Sequence, residues 1–319
     1  MNCSGASCTF TTISAGASHT CALDRNQEIW CWGDNSADQL GQGPGSTAHG
    51  TTPVKVMGGL KFTDVSAGRY FTCGLTTTQD VYCWGDNTLA AVGAASGLTV
   101  PSPSKVALAG KFTAIFSGAD HACAVDTAGL MLCWGLNNLN QLNTQVATTT
   151  PSWCGNCSTI PMQVQSGVPA MQGKIAKTPL AGNGYTCAVV TTGETICWGS
   201  IYKANAGGLP ASTPVQWLSA GWDHVCFITG GAGRCWGFNN NGRLGNGQFT
   251  PVNPNAPLSL TPVNVQTPPP GFFRIDGGTA FTCGISSDKE KVYCWGINGY
   301  GQLGDGTLTA RNAPTRIVF

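Results

Sequence analysis

Residues 13–33 read Ile-Ser-Ala-Gly-Ala-Ser-His-Thr-Cys-Ala-Leu-Asp-Arg-Asn-Gln-Glu-Ile-Trp-Cys-Trp-Gly. Two strand-like runs flank a polar turn at Arg25–Gln27, which is the pattern of a β-hairpin. Pairing Cys21 with Cys31 sets Leu23 opposite Ile29 and brings the two thiols face to face. In a non-hydrogen-bonded antiparallel pair the Cα atoms stand roughly 4.5 Å apart, within reach of a disulfide. Closing so short a loop stabilises by at most a few kcal/mol. The bridge therefore rivets the hairpin rather than creating the fold.

The same hairpin recurs along the chain. Cys-Trp-Gly occurs at Cys31, Cys83, Cys133, Cys197, Cys235 and Cys294, each time behind a Gly-x-x-(His/Phe/Tyr)-x-Cys segment. The partner cysteines are Cys21, Cys73, Cys123, Cys187, Cys226 and Cys283, nine to eleven positions upstream. Cys3/Cys8 and Cys154/Cys157 complete the pairing of all 16 cysteines. After Cys-Trp-Gly come x-Asn and a glycine turn, clearest in GQLGDGT (301–307), and often a Thr-Pro-Val-x-Val strand, as at 52–56 and 261–265. Self-similarity at this period means a repeat architecture. Four-stranded units repeated radially make a β-propeller, so the chain is expected to be all-β. Residues 1–319 are read as a single propeller domain with an insert at about 144–180 that contains Cys154 and Cys157. Six blades can be counted, with seven as the alternative, and each is expected to hold one disulfide. The fused stretch TPVQWLSAG (213–221) suggests that the fifth unit lacks a strand. Each Trp of Cys-Trp-Gly is expected to pack on the next blade. The chain opens with the first strand type (Thr9–Ile13) and ends with the Thr-Pro type (Ala313–Val318), so pairing of these N- and C-terminal strands in one blade is expected to close the ring and remove an open edge.

Composition narrows the function. Lys+Arg number 16 against 15 Asp+Glu, a net charge of +1, so no basic surplus exists to neutralise nucleic-acid phosphates. No apolar run approaches the length of a membrane span. Regular cysteine pairing points to an oxidising compartment, secreted or at the cell surface. The opening MNCSGASCTF lacks the apolar core of a secretory signal, so Met1 is read as an added start on a mature fragment. No cofactor is implied.

Binding positions are expected in the turns that follow each unit's glycine: Ala17-Ser18, Arg69-Tyr70, Ala119-Asp120, Asn183-Gly184, Trp222-Asp223 and Thr279-Ala280. Arg69, Tyr70, Asp120, Trp222 and Asp223 are residue types that make interface hot spots, and loops on a rigid scaffold are where binding concentrates. Tyr185, one position nearer its cysteine, joins this partner-binding set. The ring positions His19, His121 and His224 fall on alternate units and could form a zinc triad, but no fourth ligand is evident and packing within each unit is the preferred reading. Cys154-x-x-Cys157 has no helix and no βαβ context, so a closed staple is preferred to a redox centre. The first functional reading is an extracellular module that presents its loops to a protein partner. The second is a carbohydrate-binding module or receptor ectodomain using Trp222 and Tyr70 to stack on sugars. The third is a secreted hydrolase or lyase with Asp120 and Asp223 as its carboxylates.

The G-x-x-H/F/Y-x-C…CWGxN units and GQLG turns resemble the regulator of chromosome condensation repeat family, over nearly the whole chain. The resemblance implies a β-propeller, with seven blades in most relatives. The cysteine-bearing form is similar to extracellular bacterial repeat proteins and to the ectodomain of plant crinkly-type receptor kinases. The family's nucleotide-exchange and chromatin activities are not expected here, because the paired cysteines suit another compartment and no basic arm is present. A light-sensing relative uses a Trp cluster in Gly-Trp-Arg-His-Thr segments, and Trp222 is the one such Trp here. A secreted β-lactamase inhibitor of this fold binds through the loops before the ring position, which implies where a partner docks.

Overall fold

The computed structural model describes residues 9–46, 49–94, 98–143, 154–164, 180–189, 195–199, 215–249, 259–266, 268 and 270–318. Cys3 and Cys8 lie outside them. The described residues form strands and turns only, and none makes a helix long and apolar enough to cross a membrane.

The strands group into six antiparallel sheets, each a meander in chain order. The first holds β1 (Phe10–Ala15), β2 (His19–Asp24), β3 (Ile29–Gly33) and β4 (Gly50–Lys55). The second holds β5 (Phe62–Ala67), β6 (Phe71–Thr76), β7 (Val81–Asp86) and β8 (Thr99–Lys105), and the third β9 (Phe112–Ser117), β10 (His121–Asp126), β11 (Met131–Leu136) and β12 (Cys157–Gln163). The fourth has three described strands, β13 (Leu180–Ala181), β14 (Tyr185–Val189) and β15 (Thr195–Gly199). The fifth holds β16 (Trp217–Ala220), β17 (His224–Thr229), β18 (Ala232–Gly237) and β19 (Ser259–Asn264), and the sixth β20 (Phe272–Gly277), β21 (Phe281–Ser286), β22 (Val292–Gly296) and β23 (Arg311–Arg316). These are the blades of a β-propeller.

Burial explains the residue choice strand by strand. The second strand of a blade is covered on both faces, so β2 (HTCALD) is buried throughout. The fourth strand is an outer edge, and β4 has no buried residue. Proline cannot donate to a ladder and belongs on edges. Pro53, Pro101, Pro103, Pro161, Pro262 and Pro314 all fall in fourth strands.

The hairpin register is the expected one. Cys21 faces Cys31 and Leu23 faces Ile29. Cross-strand disulfides join Cys21–Cys31, Cys73–Cys83, Cys123–Cys133, Cys226–Cys235 and Cys283–Cys294, with Cα atoms 4.0–4.1 Å apart. In the fourth sheet Cys187 stands directly opposite Cys197. Cys154 and Cys157 are joined as well, a closed staple as expected.

Two compact units emerge. One contains the fifth, sixth and first sheets, and the other contains the second, third and fourth together with the turn at 37–46. In the first unit Phe10, Ile13 and Trp32 pack with Phe281, Ile285 and Leu303. In the second, Phe71, Leu75 and Val92 pack with Ile115 and Trp134, and Phe116 and Val125 pack with Trp198.

Four expectations are corrected. The terminal strands do not pair: β1 belongs to the first sheet and β23 to the sixth. Among the described residues each Pro-bearing strand completes the hairpin immediately before it, as Tyr293 opposite Arg316 shows, so the first sheet takes β4 and needs nothing from the C-terminus. The first and sixth sheets meet instead through side chains and through the Ala15 amide, which donates to Asp276 Oδ2 at 2.8 Å. The fifth sheet has all four strands; the sheet with three described strands is the fourth. Residues 157–163, assigned to the insert, form the fourth strand of the third sheet.

The Trp side chains pack on the earlier sheet, not the next one. Trp134 sits in the second sheet's core, Trp198 in the third's, Trp295 in the fifth's and Trp32 in the sixth's. The cause is the turn after each Cys-Trp-Gly. Its Asn brackets the turn: Asn137, Asn239 and Asn298 each accept the amide of the Leu five positions on, at 3.0 Å. That fixes one carbonyl outward, and the following repeat's indole N–H donates to it. Trp84 donates to Gln39, Trp134 to Ala91, Trp198 to Gln141, Trp295 to Arg243 and Trp32 to Gln302, all at 2.9–3.0 Å. A threonine hydroxyl often shares the acceptor, as Thr20 does at Gln302 and Thr282 at Arg243, both 2.8 Å. At Gly304 a Cβ would lie 2.7 Å from Trp32 Nε1, so the last glycine of the GQLG turn is required by the indole beneath it.

Candidate partner-binding loops

The Gly-x-x-ring segment joins the first and second strands of each blade. Its ring folds back over its own glycine. A Cβ on Gly118 would meet His121 at 2.2 Å, one on Gly182 would meet Tyr185 at 2.2 Å, and one on Gly221 would meet His224 at 2.4 Å. The motif is thus a lock that holds the two intervening residues out from the blade.

Backbone bonds then tie these loops to their neighbours. The Arg69 amide donates to Ala119 O at 2.8 Å and the Ala119 amide to Gly182 O at 3.2 Å. In the other unit the Trp222 amide donates to Gly278 O at 3.4 Å and the Thr279 amide to Gly16 O at 3.1 Å. A loop with its amides so committed presents its side chains in one arrangement.

The histidines have structural work of their own. Thr186 Oγ1 donates to Gln141 O at 3.0 Å, so its contact with His121 Nε2 at 2.8 Å must be one in which the imidazole donates. Thr282 places His224 in the same tautomer. Nδ1 is left as a buried lone pair over glycine, without a hydrogen-bond partner in either ring. Protonation would place a buried N–H there without an acceptor. Burial accordingly depresses the pKa of His121 to about 4, and burial together with the Arg243 charge depresses His224 to about 3. His19 is also lowered to about 4 by burial, with Asp34 opposing. Among the described residues no three His, Cys, Asp or Glu side chains converge as a metal set.

The sequence-derived residues divide between the two units. Arg69, Tyr70 and Asp120 lie together on one. Arg69 Nη2 meets Asp120 Oδ2 at 2.9 Å, and Tyr70 between them in sequence is 39% exposed. Burial holds the Asp120 carboxyl above its usual range, Arg69 opposes that, and Asp86 adds to it. Tyr185 is corrected: at 3% exposure, with its ring over Gly182, it is part of the lock and offers no surface. Trp222 and Asp223 lie on the other unit, Trp222 partly exposed and Asp223 exposed. Asp120 and Asp223 each face an arginine, Asp223 Oδ2 standing 3.9 Å from Arg243 Nη1.

Sequence reasoning missed the second loop family at this end of the blades. Two residues before the Gln of each GQLG-type turn stand Leu139 and Tyr300, both 46% exposed. Leu139 lies over Gly184 of the neighbouring loop, and Tyr300 stands edge-on to His49, their centroids 5.5 Å apart. The position recurs in the units that carry a GQLG-type turn, so its period was readable. Arg243 was missed too, standing where Gln39, Gln141 and Gln302 stand in other repeats.

Comparison with known proteins agrees with this geometry. Models described as "Regulator of chromosome condensation (RCC1) repeat" match residues 10–39, 62–89, 112–141 and 274–302, and also 26–75, 80–125 and 289–319. Together these cover more than half of the chain. The ultraviolet-B receptor UVR8 of Arabidopsis thaliana is 27% identical over 323 residues, covering 96% of this chain and 69% of the receptor. The structure of Prp20p from Saccharomyces cerevisiae, described with its binding to Gsp1p and histones, superposes with a TM-score of 0.65 at 19% identity, covering 97% of this chain and 77% of that one. The CRINKLY WD40 ectodomain of the receptor kinase ACR4 from Arabidopsis thaliana gives a TM-score of 0.51 at 19% identity, covering 98% and 99% of the two chains.

Proposed function

Because the chain belongs to the regulator of chromosome condensation (RCC1) repeat family, we propose that it is a protein-interaction module that engages its partner through the Gly-x-x-ring loops. The observation that carries this reading is the pairing of exposed side chains with a locked backbone. Tyr70, 39% exposed, and the partly buried Arg69–Asp120 pair stand on loops whose amides are bonded into the next blade. Such loops lose little entropy on binding, which favours affinity. The recorded binding of Prp20p to Gsp1p and histones supports the protein class of partner. Rows of cross-strand disulfides support an extracellular setting, since such bonds persist in oxidising compartments.

The test is capture of one stoichiometric protein by the intact chain, followed by variants. Tyr70→Ala and Trp222→Ala should each weaken that complex at least tenfold, as truncated hot spots do. Lys61→Ala, at the opposite end of its blade, should leave the complex unchanged, and free monosaccharides should not compete. Equal binding by all variants would overturn the loop assignment. Competition by a sugar would transfer the site to the carbohydrate reading.

A further inference from the structure

Arg243 is out of keeping with its position. In other repeats that place holds Gln39, Gln141 or Gln302, whose Oε1 accepts the amide two residues back at 2.8–2.9 Å and so completes the turn. Glutamine suffices for the fold. Arginine instead buries a cation that is 6% exposed. Its Nε donates to Asn240 O at 3.0 Å and its Nη1 to Thr279 O at 3.3 Å. The nearest carboxylate, Asp223, stands 3.9 Å from Nη1 and is itself well exposed. Among the described residues Nη2 has no hydrogen-bond acceptor, and it is not sealed from solvent. The two residues whose carbonyls Arg243 meets each carry a buried side-chain atom with no partner, Thr279 Oγ1 and Asn240 Oδ1. An under-compensated buried cation with uncommitted polar neighbours is costly to the fold, and a ligand that completed the set would remove that penalty.

We infer that Arg243, Thr279 and Asn240 form a notch that binds a single carboxylate, supplied by an acidic side chain of the partner protein. Nη2 and the Thr279 hydroxyl are both donors, and rotation of the Asn240 amide offers a third. A carboxylate's two oxygens match two such donors. Asp223, already on the Nη1 side, repels a dianion, so the site suits one negative charge rather than a phosphate. The inference rests on the docking reading for the source of the carboxylate, but the notch can be tested without any partner.

The probe is sodium acetate, titrated into the intact chain at constant ionic strength against sodium chloride and sodium phosphate. The readouts are the NMR signals of the Trp222 indole and the Thr279 amide. Acetate is expected to give saturable shifts at least fivefold larger than chloride, with phosphate weaker than acetate. Arg243→Gln, which restores the residue of the other turns, should abolish the saturable component while keeping the dispersed spectrum of the folded chain. Equal shifts with chloride, or saturable shifts that survive Arg243→Gln, would overturn the notch. Tighter binding of phosphate would overturn its assignment to a carboxylate. If acetate binds but Arg243→Gln leaves partner affinity unchanged, the notch stands and the docking reading for this loop fails.

Discussion

Two arginine–aspartate pairs do different things: both aspartates and Arg69 stand on Gly-x-x-ring loops, whereas Arg243 stands on a GQLG-type turn. Arg69 and Asp120 close at 2.9 Å between the second and third blades, and each takes up the other's charge. Arg243 and Asp223 stand at 3.9 Å on the fifth blade, and the buried partner there is the cation. The first pair is a clasp. The second leaves a positive charge inside the blade, which adds to burial in lowering the His224 pKa, whereas burial alone lowers that of His121. An ion pair in a structure is therefore not one kind of evidence. Its closure decides whether it completes the fold or leaves something for a ligand.

The largest expected effect separates the histidines from the phenylalanines that hold the same position in other blades. For each His the folded pKa lies below the unfolded value of 6.5. The unfolded chain therefore takes up protons first as pH falls, and stability present above pH 6.5 is lost on the way down to about 4 for His121 and about 3 for His224. Each contributes roughly 3 kcal/mol of acid sensitivity. His121→Phe, the residue found at Phe71 and Phe281, should remove that much of the pH dependence. Urea unfolding across pH 7 to 4 measures it, and an unchanged slope would mean the imidazole is not buried neutral.

Next in size is the clasp itself. Asp120→Ala should destabilise by about 1–2 kcal/mol, less than a fully buried pair because Arg69 is partly exposed. Asp223→Ala should shift the same unfolding midpoint by under about 0.5 kcal/mol. Equal effects would erase the distinction between the closed and open pairs. The smallest effect is local: Arg243→Gln should raise the His224 pKa toward that of His121, read from imidazole NMR shifts. A His224 pKa that stays put would place the source of its extra depression elsewhere.

Much of this was legible in the chain. The hairpins and their disulfides follow from period-two register, since the facing of Cys21 and Cys31 also fixes Leu23 against Ile29. That the tryptophans hold blades together was readable; the blade each one leans on was not, because spacing carries no sense of direction around the propeller. The terminal strands misled because a Thr-Pro strand can be assigned to the hairpin before it or after it, and the ladder from Tyr293 to Arg316 settles that only in three dimensions. Tyr185 looked like a surface aromatic. Its spacing from Gly182 is that of His121 from Gly118, and that shared offset marked it as part of the lock. Arg243 was not singled out, because burial and the lack of a close carboxylate are not written in the sequence.

The central claim is that the docking loops are locked by their own backbone before any partner arrives. Amide hydrogen exchange of the free protein tests it most directly. The amides of Arg69, Ala119, Trp222 and Thr279 lie outside every strand, yet each donates to a neighbouring blade. Protection of these four at the level of β6 and β21 is the expected result. Exchange at the rate of open surface loops would mean that the loops are not preorganised, and the account would fall.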